Sequence, residues 1–550
     1  MRRFVFACTL LPIAAALANG PVEIARGNGR QASEAMERSR RVMHAWLKLA
    51  DPVTSLLPRT TTNPAWVVRD SGADLYPFMV LIAAYTEPEL LDSAMMHILR
   101  QETLLTTRVG RLSDDVLPGG KGWVRPDVQM DEILFGSSEY VKDGLITITE
   151  LLGETPWYHR MRGISTDLVK YAPYRWGERK IPAQSAEVNG NVLQSLARLY
   201  WKTSDEAYLR QLIDLADLYF LEILPKTGYI PPMLWDTSAG KPLRARFGFS
   251  DHGNEIVGGL AETYLLFLAK RPDKAKQYRE AFVRMMDRLL EVGRNGDGVW
   301  YMTYDIDQGK ITDARHAHCW GYLFNPVYVA YLATGDEKYR QAVRHAIDGV
   351  VKDPRYLFDE TGAGRKWGAN AYSDSLESAL VLLNRVPHPA MEAAIDEAMK
   401  HYWARQKEDG RVEDWYGDGN YIRTAMMYAF WKTQGASLTP WQERVHLGAV
   451  RESGGLLVHL SADAPWQGRL RFDHARHRDH WNMTRNYPRL NEFPEWFTVD
   501  QDRAYHLQMG GSPRKRYLGA DLIRGIPLAV DGGDALIIKV SDAGDPPYGK

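Results

Sequence analysis

Residues 189–219, NGNVLQSLARLYWKTSDEAYLRQLIDLADLY, contain the unit that decides the fold. An apolar stretch over residues 192–200 is followed by the turn TSDE at 203–206, whose residue types favour the start of a new helix. The next stretch places apolar residues on one helical face only: Tyr208, Leu212, Leu215, Ala216 and Tyr219. The segment therefore predicts a hairpin made of a buried helix and an amphipathic helix.

This hairpin unit recurs along the chain at intervals of about 49 to 66 residues, which is typical of a repeat architecture. Seven polar or aromatic clusters open the apolar stretches, near Asp74, Tyr140, Asn189, Asn254, Trp320, Tyr372 and Tyr421. Hairpins that stack side by side in a ring bury their apolar helices on the inside. We therefore predict a mainly α protein, an (α/α)6–7 toroid of helical hairpins whose polar openings line a central funnel.

The helical period ends after about Val450. Short stretches with strand character follow between Gly, Pro and Asp turns, at 455–460, 468–472, 504–508 and 535–540. They predict a small antiparallel β-sheet domain over residues 449–550, after a toroid over residues 30–448. Residues 485–500 are rich in Pro, Asn and aromatic residues and predict an ordered long loop.

The first twenty residues, MRRFVFACTLLPIAAALANG, have the pattern of a secretory signal. Two arginines precede an apolar run, and the small-residue site Ala16-Leu17-Ala18 follows it, so we predict a signal peptide over 1–18 and a periplasmic or secreted protein. No other segment has about 20 consecutive apolar residues, so we expect no membrane span. Cys319 would be the only cysteine left, which excludes an internal disulfide and suggests a core residue.

Charge and composition limit the partners. Lys and Arg number 68 against 69 Asp and Glu, and a nucleic-acid partner would require a basic excess. A net charge near zero still permits a locally basic pocket for an anionic substrate. The 17 Trp and 28 Tyr residues indicate either large aromatic cores or surfaces that stack on sugars. No G-x-S-x-G, P-loop or H-E-x-x-H motif is present, so serine hydrolase, NTPase and zincin chemistry have no support.

A second repeat lies in the long connections, where a glycine precedes an aromatic residue. It occurs at Gly122-Trp123, Gly228-Tyr229, Gly298-Val299-Trp300, between Gly364 and Trp367, and between Gly410 and Trp415. These loops would share one rim, and binding residues favour loops on a rigid scaffold. The alternative is that the aromatic residues only pack the rim. The aromatic candidates for substrate contact are Tyr140, Trp235, Trp300, Trp320, Trp367 and Trp415.

Two histidine-containing segments open the fourth and fifth inner helices. In SDHGNE at 250–255, His252, Asn254 and Glu255 suit a hydroxyl or anionic ligand at a helix start, or an ordinary capping box closed by Glu255. In His316-Ala317-His318 the two imidazoles would share one face of an extended segment. They would serve as a base or substrate contact, as part of a metal site, or as packing.

Other polar candidates lie on the third and seventh inner helices. Asn189 and Asn191 would hydrogen-bond a substrate carboxylate, or would only cap their helix. Arg423 would bind a uronate carboxylate, or would form an ordinary salt bridge.

The densest histidine cluster, HARHRDH at 474–480, lies beyond the helical repeat. His474, His477 and His480 would form a structural metal site, or the loop would reach over the funnel and supply His477 with a neighbouring arginine. The third alternative is a solvated hairpin. We expect no cofactor, with a metal at these three histidines as the less favoured alternative.

The hairpin repeat, the Gly-aromatic rim and the β tail together resemble the (α/α) toroid carbohydrate-active enzymes over roughly residues 40–540. These are the six-hairpin glycosidases and the toroid polysaccharide lyases with a C-terminal β-sheet domain. The resemblance to the lyases implies an Asn-His pair, a Tyr on a later hairpin and a His near the β domain. The nearest equivalents are His252-Gly253-Asn254, with the order reversed around a glycine, Tyr372, and one of His474, His477 and His480.

A uronate lyase removes the C5 proton and eliminates at C4, which requires a group that neutralises the carboxylate, a base and an acid. Here Asn254 or Asn189 would neutralise, His252 or His318 would be the base, and Tyr372 the acid. The prominence of Asn, His and Tyr at the openings favours this lyase, acting on a uronic-acid-containing polysaccharide or oligosaccharide.

A glycosidase would instead use two carboxylates, about 5–5.5 Å apart if retaining and about 6.5–9.5 Å apart if inverting. The sequence offers four for this role: Glu255, Asp313, Asp374 and Asp414. A sugar epimerase, in which His removes a C–H proton, and a non-catalytic glycan-binding protein complete the alternatives.

Overall fold

The computed structural model describes residues 20–250, 252–358 and 368–543. The predicted signal peptide, Asp251 and Trp367 therefore lie outside the described residues.

An inner layer of seven helices runs through the described residues, each buried on most of its surface. The first two continue from π-helical turns at Val68–Leu75 and Tyr140–Leu145, and Met130–Glu139 precedes the second turn. The bounds of the seven are Tyr76–Thr86, Ile146–Leu152, Ala186–Thr203, Asn254–Lys270, Phe324–Thr334, Ala369–Arg385 and Asn420–Thr433.

Seven amphipathic helices in the same part of the chain form an outer layer. Asp205 and Asp336 cap two of them, since their side chains accept hydrogen bonds from the backbone N–H groups of Ala207 (2.9 Å) and Lys338 (3.0 Å). The bounds are Pro21–Leu47, Met96–Thr106, Pro156–Lys170, Glu206–Asp217, Pro272–Val292, Glu337–Lys352 and Pro389–Trp403, with short extensions at Pro88–Leu90, Leu91–Met95, Leu218–Ile223 and Leu224–Lys226.

The inner layer closes on itself. Asn420–Thr433 packs against Tyr76–Thr86, and its outer partner is the first helix, Pro21–Leu47. The hairpin repeat did not reveal this first helix, because it precedes rather than follows an apolar stretch. Each inner helix thus has an outer partner, and the predicted toroid is confirmed with seven helix pairs.

Glycines allow two close contacts in the ring. A Cβ on Gly190 would lie 2.3 Å from the Glu255 carbonyl carbon, and one on Gly259 would lie 2.6 Å from the Gly190 oxygen. The third and fourth inner helices therefore touch through their backbones, which brings Glu255 to the inner wall.

Short antiparallel strands precede several inner helices and form the rim. Their presence was not predicted, since each is short and interrupts a loop-like sequence. The pairs are Thr107–Val109 with Leu112–Ser113, Tyr174–Trp176 with Arg179–Ile181, and Leu234–Asp236 with Lys241–Arg244. A three-stranded sheet contains Arg246–Gly248, Tyr301–Asp305 and Lys310–His316. Single 3₁₀ turns lie at Pro118–Gly120 and Pro354–Tyr356.

Two antiparallel sheets follow the ring, as predicted, and their strands begin at Ser437, ahead of Val450. The five-stranded sheet has the order Val445–Glu452, Gly455–Ala462, Ala535–Asp542, Ala504–Met509, Lys515–Leu518. The three-stranded sheet has the order Ser437–Thr439, Trp466–Arg471, Ile526–Val530. Short helices lie at Arg476–Asp479 and Gly519–Arg524. A hydrophobic core separate from that of the ring lies between the sheets.

No helix in the described parts of the chain combines the length and the apolar character that crossing a bilayer would require.

Candidate active site

Residues 487–492, which we call the plug segment, enter the ring from the sheet region. Arg489 is fully buried and pairs with Glu150 of the second inner helix. Arg198 lies 2.9 Å from Glu262 and 3.5 Å from Glu150. Glu150 and Arg198 lie in the C-terminal halves of their helices, and Glu262 lies at the middle of its helix. The plug segment therefore occupies the end of the ring opposite the rim, and the funnel opens at the rim.

A buried lysine organises the first group of carboxyls. Lys142 Nζ lies 3.0 Å from Asp143 Oδ1, 3.8 Å from Glu255 Oε1 and 3.9 Å from Glu139 Oε1. Burial alone would lower the pKa of Lys142, but the charges of Asp143, Glu139 and Glu255 outweigh it and hold the pKa well above its usual range. Lys142 is therefore a permanent cation among three carboxyls.

Local helix geometry gathers this group. Glu139, Lys142 and Asp143 are three and four residues apart and share a face where the helix passes through the π-helical turn Tyr140–Leu145. Asn191 of the next inner helix donates a hydrogen bond of 2.5 Å to Glu139 Oε1. Asn191 therefore contributes to the funnel wall by holding Glu139.

Glu255 is the carboxyl best suited to donate a proton. Burial raises its pKa to about 7, although the charge of Lys142 opposes this, and the charge of Glu187 adds to it. Its Oε2 atom has no hydrogen-bond partner among the described residues. A carboxyl with such a pKa is substantially protonated near neutral pH, as general-acid catalysis requires.

A second buried group surrounds Arg423. Arg423 Nη2 lies 3.1 Å from Asp374 Oδ1 and 2.9 Å from Glu377 Oε2. The Tyr322 hydroxyl lies 2.7 Å from the same two oxygens, and His318 Nε2 lies 3.3 Å from Asp374 Oδ2. Arg423 therefore forms salt bridges with protein carboxylates, which was one of the two alternatives from the sequence, and its role as a uronate ligand stays a prediction.

Asp74 and Asp418 connect the two groups electrostatically, since the charges of Asp143 and Asp418 act on Asp74 and the charge of Asp374 acts on Asp418. Burial, with the charges of Asp414 and Asp374, raises the pKa of Asp418 to about 8. Burial raises the pKa of Asp74 well above its usual range, and the charges of Asp143, Asp70 and Asp418 act in the same direction. The two groups thus form a single acidic site at the centre of the funnel, consisting of Asp74, Asp143, Glu255, Asp374 and Asp418.

His252 and Asn254 lie at the mouth of this acidic site. His252 Nδ1 is 2.6 Å from Glu187 Oε1, and 59% of the His252 side chain is exposed. Asn254 begins its helix, is buried, and neither its Nδ2 nor its Oδ1 has a hydrogen-bond partner among the described residues. A buried amide without partners is costly, and such groups are frequent at functional sites.

Two predicted site residues face away from the funnel. Tyr372 is fully buried and accepts a hydrogen bond of 3.0 Å from Arg405, beyond the outer helix Pro389–Trp403. Tyr372 precedes Asp374 by two residues, which turns it by about 200° around the helix. Asn189 precedes Asn191 by the same step and donates to the Ala183 carbonyl at 2.8 Å. These contacts direct Tyr372 and Asn189 towards the outer layer, so the structure does not bring them together with the buried carboxyls, and their roles as acid and ligand stay predictions.

The predicted aromatic contacts are mostly core residues. Tyr140, Trp235, Trp300 and Trp320 are all buried. Trp300, for example, stacks on Phe249 with a centroid distance of 5.5 Å. These four pack the scaffold, which is the alternative that the sequence left open. Trp415, by contrast, is 47% exposed on the rim.

The histidine cluster lies at the opposite end of the ring. His474 Nδ1 lies 2.7 Å from Asp479, His477 Nδ1 lies 2.8 Å from Glu495, and His480 Nδ1 lies 2.8 Å from the Glu150 carbonyl. His477 is thus far from the funnel mouth, and its predicted substrate contact is corrected. Within residues 20–250, 252–358 and 368–543, no three His, Cys, Asp or Glu side chains are grouped to hold a metal ion.

The four carboxylates named for a glycosidase divide into two sets. Glu255 and Asp374 belong to the acidic site. Asp313 pairs at 2.6 Å with Arg315 on a rim hairpin, and Asp414 accepts a hydrogen bond from the Ala369 backbone N–H at a helix start. Cys319 is buried, as expected.

Sequence reasoning missed Asp74, Asp143 and Asp418 as site residues. The available signal was their position, because each is a carboxylate at or near the start of an otherwise apolar inner helix.

Comparisons with known proteins give distant structural likenesses. No protein-family model and no curated protein matches the chain. An inactive variant of the alpha-1,6-mannanase GH76A of Salegentibacter sp. HEL1_6, in complex with alpha-1,6-mannotetrose, is 13% identical over 60% of this chain and 95% of that chain, with a TM-score of 0.42.

Two cellobiose 2-epimerases are similar to this chain to about the same degree. The one from Bacillus thermoamylovorans B4167 is 13% identical over 61% of this chain and 90% of that chain, with a TM-score of 0.44. The one from Spirochaeta thermophila DSM 6192 is 14% identical over 68% and 98%, with a TM-score of 0.43. At these identities and TM-scores the likenesses assign no activity to this chain.

Proposed function

We propose that the protein is a glycoside hydrolase that acts on a neutral oligosaccharide or polysaccharide in the acidic site. The observation that carries the proposal is the pairing of Glu255, whose pKa is raised to about 7, with Asp143 across the Lys142 ammonium. One carboxyl available for protonation beside one held in an ion pair is the arrangement that glycosidic bond cleavage requires.

The two carboxyls have distinct roles in this proposal. Glu255 protonates the glycosidic oxygen as the bond to the leaving sugar breaks. Asp143 either takes a proton from the attacking water or attacks the anomeric carbon itself. Both carboxyls approach the same ammonium, so their nearer oxygens are at most about 7 Å apart, which is compatible with either stereochemical course.

The charge of the site argues against a uronate substrate. Asp74, Asp143, Glu255, Asp374 and Asp418 line the funnel, and its buried cations, Lys142 and Arg423, are already engaged by carboxylates. The pKa values of Asp74, Glu255 and Asp418 are already raised by burial and by neighbouring carboxylates, so a uronate would add a negative charge where negative charge is disfavoured. A neutral sugar adds no charge, and its hydroxyl groups are suitable donors to the carboxylates. For this reason hydrolysis is preferred here to the β-elimination expected from sequence.

The test is a substrate panel with two readouts. Purified protein is incubated with neutral mannans, glucans, xylans and galactans, and with uronate polysaccharides. Reducing ends report hydrolysis, and absorbance near 235 nm reports the unsaturated product of elimination. We expect reducing ends from a neutral glycan, lost by about 10²- to 10⁴-fold in Glu255→Gln and in Asp143→Asn.

The matched control is Glu280→Gln, which changes an exposed carboxylate on the outer helix Pro272–Val292 and should keep wild-type activity. Absorbance near 235 nm without hydrolysis would instead support the lyase. Binding without turnover on every glycan would support a glycan-binding protein.

A second candidate is a sugar epimerase or isomerase, and the observation that favours it is a pair of carboxylate-held histidines. His252 lies 2.6 Å from Glu187, and His318 lies 3.3 Å from Asp374. A histidine oriented by a carboxylate is a competent base for a C–H proton. Incubation with reducing disaccharides in D₂O, followed by NMR, would reveal deuterium at C2. Such incorporation, abolished by His252→Asn and His318→Asn, would replace hydrolysis as the assigned reaction.

A further inference from the structure

Asn491, at the tip of the plug segment, bridges the two groups of the acidic site. Its Nδ2 donates a hydrogen bond of 2.6 Å to Asp143 Oδ1, and its Oδ1 accepts one of 2.7 Å from Arg423 Nη1. Its backbone N–H donates to Glu377 Oε1 at 2.7 Å. The residue is 4% exposed, so it makes these three bonds in the interior of the ring.

The chemistry of the position accounts for an asparagine. Asp143 requires a donor and Arg423 requires an acceptor, and a carboxamide offers both on one short side chain. The backbone of Asn491 has a φ of 54°, in the left-handed region that asparagine tolerates better than most residues. Glutamine would be one methylene too long, and aspartate would lack the donor.

We propose that Asn491 is a positioning residue of the active site, which sets Asp143 relative to Arg423 and so completes the site from the C-terminal part of the chain. This proposal rests on the hydrolysis proposed above, in which Asp143 acts as base or nucleophile. The Asn491 amide and the Lys142 ammonium both contact Asp143 Oδ1, and a catalytic carboxylate held at one oxygen in this way keeps its orientation as charge moves in the reaction.

Two variants separate this role from a structural one. Asn491→Gly keeps the left-handed backbone and the bond to Glu377 but removes both side-chain bonds. Asn491→Asp keeps the acceptor for Arg423 and replaces the donor to Asp143 by a carboxyl. When ionised, the introduced group repels Asp143, and when protonated it donates to Asp143 as the amide does.

The control is Asn482→Gly together with Asn482→Asp. Asn482 lies upstream in the same connection, also has a left-handed backbone (φ of 58°), and is exposed, with its amide donating to the Lys202 carbonyl at 3.0 Å. It shares the conformation of Asn491 but lies outside the acidic site.

The experiment measures kcat and KM against pH on a glycan that the wild type cleaves. We expect Asn491→Gly to lower kcat by about 10- to 100-fold at every pH with KM little changed, since a bond to a charged group is lost. Asn491→Asp should match that loss at neutral pH and regain activity relative to the wild type in acid. Wild-type kcat in Asn491→Gly, or an equal loss at all pH values in Asn491→Asp, would overturn the proposal.

A second readout does not depend on activity. The melting temperature of Asn491→Asp relative to that of Asn491→Gly should fall from acid to mildly alkaline buffer, because burial and the charge of Asp143 disfavour the ionised carboxyl, although its bond to Arg423 is kept. A relative melting temperature that does not fall as pH rises would refute the geometry itself. An inactive wild type that still shows this fall would refute the proposed hydrolysis and leave the role of Asn491 in place.

Discussion

Replacing Lys142 by methionine tests the electrostatic origin of the proposed general acid. The substitution removes a positive charge 3.8 Å from Glu255 and keeps a side chain of similar length. Two unit charges about 4 Å apart interact by about 4 kcal/mol at an effective dielectric of about 20, and one pKa unit is about 1.36 kcal/mol. Loss of the ammonium should therefore raise the pKa of Glu255 from about 7 by one to about three units.

The direction in which the pH dependence of kcat/KM shifts follows from the role of the acid, which must be protonated to act. In the wild type, kcat/KM should fall as pH rises through about 7. In Lys142→Met the fall should move to higher pH, and the maximal rate should be lower because Asp143 loses its ion pair at 3.0 Å. The assay is reducing-end release over about pH 4 to 10 at constant ionic strength.

The control is Lys276→Met, which changes an exposed lysine on an outer helix and should leave the profile unchanged. The reasoning would be refuted if the fall of kcat/KM at alkaline pH stays in place or moves to lower pH in Lys142→Met. If the fall of kcat/KM at alkaline pH disappears in Asp418→Asn rather than in Glu255→Gln, the acid is Asp418, whose pKa is raised to about 8.

Three further predictions concern stability and processing. Glu255 has a raised pKa in the folded protein, so its contribution to stability is present below its unfolded value and is lost as pH rises through about 7. Glu255→Gln should therefore gain about 3 kcal/mol relative to the wild type between acid and mildly alkaline pH, and an equal pH dependence of their melting temperatures would contradict this. Arg489→Met leaves Glu150 buried with Arg198 alone and should lower the free energy of unfolding, measured with denaturant, by about 3 kcal/mol or more. The double variant with Glu150→Gln should recover most of this loss. No recovery would show that packing, and not the unpaired charge, dominates. We propose cleavage after Ala18, which the intact mass of exported protein will verify by showing a chain that begins at residue 19.

The ring could be predicted from the sequence because it depends on a repeated pattern. Apolar stretches, polar faces and the turns capped by Asp205 and Asp336 are local features, and they specify hairpins directly. The first helix, Pro21–Leu47, has its inner partner at the other end of the ring sequence, in Asn420–Thr433, so its place beside the seventh inner helix becomes visible only in three dimensions.

The site was harder to predict because it depends on direction around each helix. Tyr372 and Asp374, or Asn189 and Asn191, are equally prominent in the sequence but face opposite layers. The sequence named Glu255 among the glycosidase carboxylates but not Asp143, the partner proposed above, since Lys142 and Asp143 look like ordinary surface residues until their helix is known to be buried. Asn491 approaches from a segment without regular structure, about 350 residues from Asp143, which no pattern indicates.

The pairing of Pro21–Leu47 with Asn420–Thr433 also has a consequence for the order of folding. Each hairpin can form early from neighbouring residues, but the ring stays open until Asn420–Thr433 meets the first helix. Asn491 and Arg489 follow later still. The unfinished chain therefore exposes the apolar walls of an open arc, and the cleft acquires its final shape only when distant parts of the polypeptide join. Truncation ahead of the plug segment should therefore abolish the proposed hydrolysis while leaving most helices intact.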